Sequence, residues 1–226
     1  MLEKLIEYDK ELLLFFNGSD SVWLDHVMWM YTGKLIWLPM ILAMIYVFFK
    51  SGGWKDALTV ILALALVALL CDQISSSIFK PLIARYRPTQ DPDFSPFVKL
   101  VHEYRGGRYG FISGHATNSF GLVTFTALLF RNRIYTLCAV GWALVNCYSR
   151  MYLGVHYPGD ILAGMIVGTL IGYGIYRLYA YVRKKLFPGE PTDPYEKSKV
   201  FYPILGVMFL TIIFIMIGAV WIDGKF

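Results

Sequence analysis

The chain has 226 residues, of which 57% are hydrophobic, 17% aromatic and only 16% charged, and its mean hydropathy is +0.52. A soluble globular domain carries about a quarter charged residues, so this composition excludes an ordinary soluble globule and indicates an integral membrane protein. The net charge is +5, but the basic residues are scattered, which argues against a nucleic-acid-binding protein with its clustered basic surface.

The N-terminal segment 1–17 predicts an amphipathic helix that lies at the membrane interface. Its leucines and isoleucine alternate with Glu and Lys, and Asn17-Gly18 ends the run. The segment is acidic, whereas a cleavable signal peptide begins with basic residues followed by an apolar run, so we do not expect it to be cleaved.

Six apolar stretches follow along the chain. They cover approximately residues 24–49, 55–79, 113–130, 134–149, 160–182 and 200–222. The first is interrupted by Lys34 and Pro39, and the third is short. Because about 20 apolar residues span a bilayer as a helix, the pattern predicts an all-α membrane protein, a bundle of six transmembrane helices. We interpret residues 1–226 as a single domain with two long polar segments, 89–110 and 184–199.

The distribution of Lys and Arg predicts how the bundle is oriented. The connections near 50–55 and 131–133, and the linker 184–199, are rich in basic residues and are expected to be cytoplasmic. The segments 80–112 and 149–160 would then face the periplasm of a bacterial inner membrane. Both of those segments are also basic, so the reverse orientation stays open.

Three charged stretches emerge on the same side of this predicted bundle. They read "KPLIARYRP" from Lys80, "FISGHA" from Phe111 and "SRMYLGVHYPGD" from Ser149. Charge near a bilayer is costly, which marks such stretches as candidate functional sites. They contribute three cations, Lys80, Arg87 and Arg150, without a matching set of acids. Three converging cations suit a phosphate group.

The second stretch places Ser113 and Gly114 just before a predicted helix. A helix N-terminus offers unpaired N–H groups and the positive end of the helix dipole, which again suits phosphate. His115 and His156 flank this position. Asp160 follows His156 by four residues across Pro158-Gly159, and we expect it to be the N-cap of the fifth transmembrane helix.

These residue types can transfer a phosphoryl group without a metal or other cofactor. An Asp bonded to one imidazole nitrogen fixes the tautomer and leaves the other nitrogen free to attack. A second His can protonate the leaving oxygen, and the cations stabilise the charge on the transferring group. The chemistry is covalent transfer through a phosphohistidine.

The three stretches together resemble the signature of the type 2 phosphatidic acid phosphatase (PAP2) superfamily. The matching pattern is Lys80-x6-Arg87-Pro88, then Ser113-Gly114-His115, then Ser149-Arg150-x5-His156-x3-Asp160. The resemblance covers roughly residues 55–182, and a six-helix plan is also similar to that of the family. One departure is Ile112, where the family usually has Pro.

The resemblance implies a role for each matching residue. His156 would be the nucleophile, Asp160 its orienting partner, and His115 the general acid and then the base that activates water. The phosphate-binding residues would be Lys80, Arg87, Ser113, Gly114 and Arg150.

Further basic residues near the three stretches are candidates for contacts with a lipid headgroup. Arg85 could touch substrate or face lipid headgroups, and these alternatives stay open. Lys99, Arg105 and Arg108 lie in the segment 89–110, which we interpret as an active-site loop with a hinge at Gly106-Gly107, although a plain surface loop is equally consistent. Separately, Gly164, Gly168 and Gly172 form a small-residue face that favours close helix packing.

The sequence therefore predicts a membrane lipid phosphatase that acts on a lipid phosphate and needs neither nucleic acid nor an obligate protein partner. The basic loop favours a lipid A phosphatase, and the resemblance keeps undecaprenyl diphosphate, phosphatidylglycerol phosphate and phosphatidic acid as alternative substrates. A transporter is the competing class, but we find no inverted repeat and no paired broken helices. A catalytically inactive scaffold would not need the complete set of residues.

Overall fold

The computed structural model describes residues 2–189, 194–196 and 199–223, and most of these are helical. The helices are α1 (Leu2–Asn17), α2 (Val22–Tyr31), α3 (Leu38–Asp72), α4 (Lys80–Ile83), α5 (Gly114–Phe130), α6 (Arg133–Tyr152), α7 (Pro158–Leu186) and α8 (Tyr202–Asp223). A π-helical turn, Gln73–Phe79, joins α3 to α4. The predicted all-α class is therefore confirmed.

Three helical segments of the described chain are long and apolar enough to cross a membrane. They are Leu35–Ile83, Pro158–Leu186 and Tyr202–Ile222. The first is interrupted at Gly53, whose φ of 72° and ψ of 176° belong to no helix. Glycine populates positive φ without the steric cost that a Cβ imposes, so it is the residue that permits this break.

The apolar stretch 24–49 does not form the single interrupted helix that the sequence predicts. Its helix α2 ends at Tyr31, and α3 begins only at Leu38. The interruption therefore covers residues 32–37, where Leu35–Trp37 form a single 3₁₀ turn, whereas Pro39 occupies the first turn of α3. A proline is tolerated there because the first helical N–H groups have no partner within the helix. The short connection that results carries Thr32 and Lys34 to the functional end of the bundle.

Close packing of α5 against α7 holds that end of the bundle together. A Cβ added to Gly164 would lie 2.7 Å from the carbonyl oxygen of Ser113. A Cβ on Gly168 or Gly172 would overlap the backbone of Thr117 or Gly121, respectively. The predicted small-residue face is confirmed, because only hydrogen side chains allow the two backbones to approach so closely.

The N-terminal helix α1 packs on the same end. Leu13 is fully buried in a cluster with Phe94, Val98 and Tyr157. At the end of the helix, the amide of Asn17 donates to the carbonyl oxygens of Lys99, at 3.1 Å, and Tyr152, at 2.6 Å. Helix α1 is thereby attached both to the loop 89–110 and to the end of α6.

The predicted linker 184–199 lies partly outside the described residues, at 190–193, 197 and 198. Helix α7 continues through its beginning to Leu186. Further on, Tyr195 is fully buried, and its hydroxyl lies 3.4 Å from the carbonyl oxygen of Phe48. Arg183 just before the linker is also buried, and its Nε donates to Oδ1 of Asp56 at 2.7 Å. This arginine therefore joins α7 to α3.

The contact between α5 and α7 predicts that one methyl group at Gly168 is destabilising. Overpacking a close-packed site costs about 1–3 kcal/mol, so Gly168→Ala is expected to lower the thermal unfolding midpoint in detergent by several degrees. Gly174→Ala in the same helix is the matched control, since its Cβ would meet nothing within 4 Å. Equal midpoints for the two variants would contradict the packing argument.

Candidate active site

The first part of the candidate site is the N-terminus of α5. Ser113 is the N-cap, and its Oγ accepts from the backbone N–H of Ala116 at 3.4 Å. A Cβ on Gly114 would lie 3.9 Å from Nζ of Lys80 and 3.3 Å from Oγ of Ser75. The ammonium group of Lys80 thus reaches the start of α5, where helix dipole and cation both favour an anion.

His156 and Asp160 form the second part of the site, at the connection from α6 to α7. Their side chains are 1% and 0% exposed, and Nδ1 of His156 lies 3.4 Å from Oδ2 of Asp160. The N-cap of α7 is Tyr157, so the prediction that Asp160 is the N-cap is wrong. Pro158 is the first helical residue, which moves Asp160 to the third position, where its Oδ2 accepts from the backbone N–H of Tyr157 at 3.1 Å.

The contact of Arg87 with His156 determines the tautomer of the imidazole. The guanidinium NH1 lies 3.1 Å from Nε2 of His156. Because a guanidinium group can only donate, Nε2 must be the acceptor and carry a lone pair. The ring proton is therefore on Nδ1, facing Asp160, and the lone pair is on Nε2.

Arg87 itself is fixed from several directions. Its Nε donates to the carbonyl oxygen of Tyr109 and its NH1 to that of Val155, both at 3.2 Å. Burial, and then the charge of Arg150, lower the pKa of Arg87 to about 10. At neutral pH the group is still charged, so Arg87 presents a rigid, incompletely neutralised cation beside the imidazole.

Arg150 also borders the site and is 3% exposed. Its NH1 donates to Oγ1 of Thr32 at 2.6 Å, and its NH2 to the hydroxyl of Tyr104 at 3.2 Å. Burial alone would raise the pKa of Tyr104, but the charge and hydrogen bond of Arg150 outweigh it and lower the pKa. The structure thus places the hydroxyl of Tyr104 at the site.

A cavity of about 400 Å³ opens beside these residues. Its lining includes His115 and Arg150 from the predicted site, together with Trp29, Lys34 and Tyr104. From the sequence we assigned Lys34 no role beyond interrupting an apolar stretch. That interruption was the available signal, because a lysine between two apolar runs must reach water or an anion.

The charges of the three stretches converge on His156. Burial holds the pKa of this histidine well below its ordinary value of 6.5. The other groups that lower it are, in order, Arg87, Arg150, His115 and Lys80. The structure therefore brings His156 near the other histidine and the three cations of the predicted site, and their catalytic and phosphate-binding roles stay a prediction.

Arg85 lies at this site but is not free to bind a headgroup. Its NH1 donates to Oδ1 of Asp160 at 2.9 Å, and its NH2 to Oδ2 of Asp9 at 2.7 Å. The guanidinium carbon also stacks over the ring of Tyr157 at 4.0 Å. The two alternatives that the sequence left open, substrate or lipid headgroups, are both replaced by a contact with the orienting carboxylate.

The remaining loop cations occupy different places. Nζ of Lys99 lies 2.6 Å from both Oδ1 of Asp25 and the carbonyl oxygen of Ser19, so this lysine ties the loop to the start of α2. Arg105 is exposed and donates to the carbonyl oxygen of Thr89 at 3.2 Å. Arg108 is exposed between Tyr86 and Tyr109. Headgroup contacts of these loop cations stay a prediction, and of the three it is Lys99 that is paired with a carboxylate, that of Asp25.

Gly110 and Ile112, which lie just before the N-cap of α5, complete the local geometry. A Cβ on Gly110 would lie 2.9 Å from Oδ2 of Asp160 and 3.6 Å from Nδ1 of His156. Sequence reasoning missed Gly110, although a glycine here is required for the backbone to pass the His–Asp pair. Ile112, which stands in place of the expected proline, is fully buried, and the Phe111–Ile112 peptide bond is cis.

The lowered pKa of His156 predicts that it stays neutral where an ordinary histidine is half protonated. At pH 6.5, nitrogen NMR of histidine-labelled protein should show Nδ1 protonated and Nε2 unprotonated, in a signal that disappears in His156→Ala. Arg87→Met should raise the pKa, because it removes a neighbouring positive charge. The exposed Arg108→Met is the matched control, and a charged imidazole at this pH in the unsubstituted protein would contradict the assignment.

Comparison with known proteins agrees with this geometry. The family model of the PAP2 superfamily matches residues 56–184. The chain is 40% identical to a lipid A 4'-phosphatase of Porphyromonas gingivalis over 88% of this chain and 86% of the relative. It is 43% identical to a lipid A 4'-phosphatase of Bacteroides thetaiotaomicron over 82% and 81% of the two chains.

A solved structure shares the fold. The crystal structure of a transmembrane PAP2-type phosphatidylglycerolphosphate phosphatase from Bacillus subtilis covers 83% of this chain and 90% of its own, with a TM-score of 0.60 and 22% identity. The region matched by the family model, residues 56–184, contains all three charged stretches, from Lys80 to Asp160. On this evidence the chain belongs to the PAP2 superfamily.

Proposed function

We propose that this protein is a metal-independent lipid phosphatase whose substrate is lipid A. The observation that carries the proposal is the contact between Arg87 and Nε2 of His156, at 3.1 Å. This contact places the nucleophilic nitrogen next to a phosphate-binding cation, while Asp160 faces Nδ1 on the opposite side of the ring. The relatives of similar length that are named lipid A 4'-phosphatases support the choice of substrate.

The reaction follows from the positions of the two histidines. Nε2 of His156 attacks phosphorus, and the bond from phosphorus to the leaving oxygen breaks as His115 gives that oxygen a proton. Arg87, Arg150 and Lys80 stabilise the charge that spreads over the phosphoryl oxygens. Water, deprotonated by His115, then attacks the phosphohistidine, the P–N bond breaks, and inorganic phosphate leaves.

The helix pattern supports a membrane placement for the whole domain. We place six spans in the bilayer: the two arms of α3 on either side of Gly53, and the helices α5, α6, α7 and α8. Helix α1, which is exposed along much of its length and acidic in its first turn, would lie at the interface as the sequence predicts. The site would face the periplasm from a bacterial inner membrane, with the segment 184–199 in the cytoplasm.

The cavity beside His115 supports a bulky, anionic headgroup. Since His115 protonates the leaving oxygen, the leaving part of the substrate must extend toward the cavity that His115 lines. Trp29 and Tyr104, whose rings are 5.2 Å apart, offer apolar faces to a sugar ring, and Lys34 offers a cation. A glucosamine phosphate uses both features, whereas an isoprenyl diphosphate or a glycerol phosphate has no sugar ring to place against the aromatic faces.

Phosphate release from a panel of lipids tests the proposed function. Purified protein in EDTA is expected to release phosphate from lipid A faster than from undecaprenyl diphosphate, phosphatidylglycerol phosphate or phosphatidic acid. His156→Ala should lose at least about a thousandfold in rate, as expected for removal of a nucleophile. Mass spectrometry of the product would identify which phosphate was removed.

The controls separate the substrate from the chemistry. His115→Gln should slow the release of phosphate. His156→Ala should abolish the phosphoenzyme that forms when the substrate carries radiolabelled phosphate. Faster release from another lipid in EDTA would keep the phosphatase and replace the substrate. Release from none of the lipids by protein with a normal unfolding midpoint would overturn the proposal, and transport assays would follow.

The position of Lys34 at the cavity predicts a contribution to binding without one to chemistry. Lys34→Met should raise KM for lipid A about fivefold, the effect of an exposed ion pair worth about 1 kcal/mol, and leave kcat unchanged. Lys50→Met is the matched control, since Lys50 is an exposed residue of α3 outside the lining of the cavity. A fall in kcat with an unchanged KM would contradict this role.

A further inference from the structure

A carboxylate from the N-terminal helix reaches the region behind the His–Asp pair. Oδ2 of Asp9 lies 2.7 Å from NH2 of Arg85, and Oδ1 of Asp9 accepts from the backbone N–H of Gly159 at 2.7 Å. Arg85 in turn binds Oδ1 of Asp160 at 2.9 Å. A continuous series of contacts therefore runs from α1, through Arg85, to the carboxylate that faces His156.

The two oxygens of Asp160 are used for different purposes. Oδ1 accepts from Arg85, whereas Oδ2 accepts from the N–H of Tyr157 and faces Nδ1 of His156. Asp160 is 0% exposed, so its orientation depends entirely on these protein groups. Stacking over the ring of Tyr157 also fixes the plane of the Arg85 guanidinium.

Asp9 controls how strongly Arg85 competes for Asp160. With Asp9 as a second partner, the charge of Arg85 is divided between two carboxylates. Without Asp9, the whole charge would act on Asp160 and weaken its attraction for the Nδ1 proton of His156. The other groups that act on the pKa of His156 are Arg87, Arg150, His115 and Lys80.

Helix α1 is held firmly enough to position Asp9. Leu13, one turn further along α1, is fully buried against Phe94, Val98 and Tyr157. The family model begins at residue 56, so α1 lies outside the region by which the family is recognised. Arg85, in contrast, occupies one of the unspecified positions between Lys80 and Arg87 of the first stretch.

We propose that Asp9 is a positioning residue of the phosphatase, acting through Arg85 on Asp160. The proposal rests on the proposed function, and it makes the N-terminal helix part of the active site. Asp9 touches neither the substrate nor the reacting nitrogen. Its removal should therefore slow formation of the phosphohistidine and leave substrate binding intact.

Kinetics of paired variants test this role. Asp9→Asn should lower kcat about tenfold with KM unchanged. A loss of about tenfold is the lower end of the effect of removing a residue that orients a metal ligand or a catalytic base. Glu11→Gln in the same helix is the matched control, since it removes the same charge from an exposed position and should retain the unsubstituted rate. Unfolding midpoints of the two variants should agree.

A double-mutant cycle separates positioning from a structural attachment. In an Asp160→Asn background, adding Asp9→Asn should change the residual rate less than about twofold, because coupled residues are not additive. An equal tenfold loss in both backgrounds would show that Asp9 acts elsewhere and would overturn the proposal. So would equal rates for Asp9→Asn and Glu11→Gln.

A spectroscopic measurement keeps this inference separate from the proposed function. The nitrogen NMR signal of Nδ1 in His156 should shift in Asp9→Asn and stay in place in Glu11→Gln, whichever lipid is the substrate. An unmoved signal in Asp9→Asn would overturn the inference even if lipid A is hydrolysed. A failed lipid panel together with a shifted signal would overturn the proposed function alone.

Discussion

The architecture depends on one buried carboxylate. Asp160 has no contact with solvent, and an unpaired charge in such a position costs several kcal/mol, so every oxygen must have partners. Its Oδ1 binds Arg85, its Oδ2 binds the N–H of Tyr157, and its backbone carbonyl accepts from the N–H of Ser113 at 3.0 Å. One residue thereby joins the start of α7 to the start of α5 and to the first charged stretch.

The packing of α5 on α7 makes that arrangement possible. The backbone hydrogen bond from Ser113 to Asp160 requires the two helix starts to lie close together, and the glycine face of α7 permits this over three successive turns. The same contact thus sets the positions of the N-terminus of α5, where we propose that phosphate binds, and of His156, the proposed nucleophile before α7. Chemistry and packing are inseparable at this end, since a methyl group at Gly164 would reach the carbonyl of the N-cap Ser113.

Much of the fold and site could be predicted because its signals are local in sequence. Apolar length predicts the helices, and the spacing from His156 to Asp160 predicts their contact. Asp9 and Thr32 could not be found this way, since their partners Arg85 and Arg150 are 76 and 118 residues away. The N-cap prediction for Asp160 was wrong because the helix begins at Pro158, three residues earlier than that prediction requires, and the N-cap position falls to Tyr157. The role of Arg85 stayed open because the sequence does not show which carboxylate this arginine contacts.

The electrostatic design explains why the site favours a phosphoryl group. Arg87 and Arg150 are buried near each other, and their repulsion adds to burial in lowering the pKa of Arg87 to about 10. Arg85 binds the buried carboxylate of Asp160, and Asp9 shares the charge of Arg85. Burial, and then the charges of Arg87 and Arg150, keep the imidazole of His156 neutral beside incompletely neutralised positive charge. An incoming phosphate relieves the repulsion among the cations at the point where the nucleophile stands, so binding and positioning for attack are the same event.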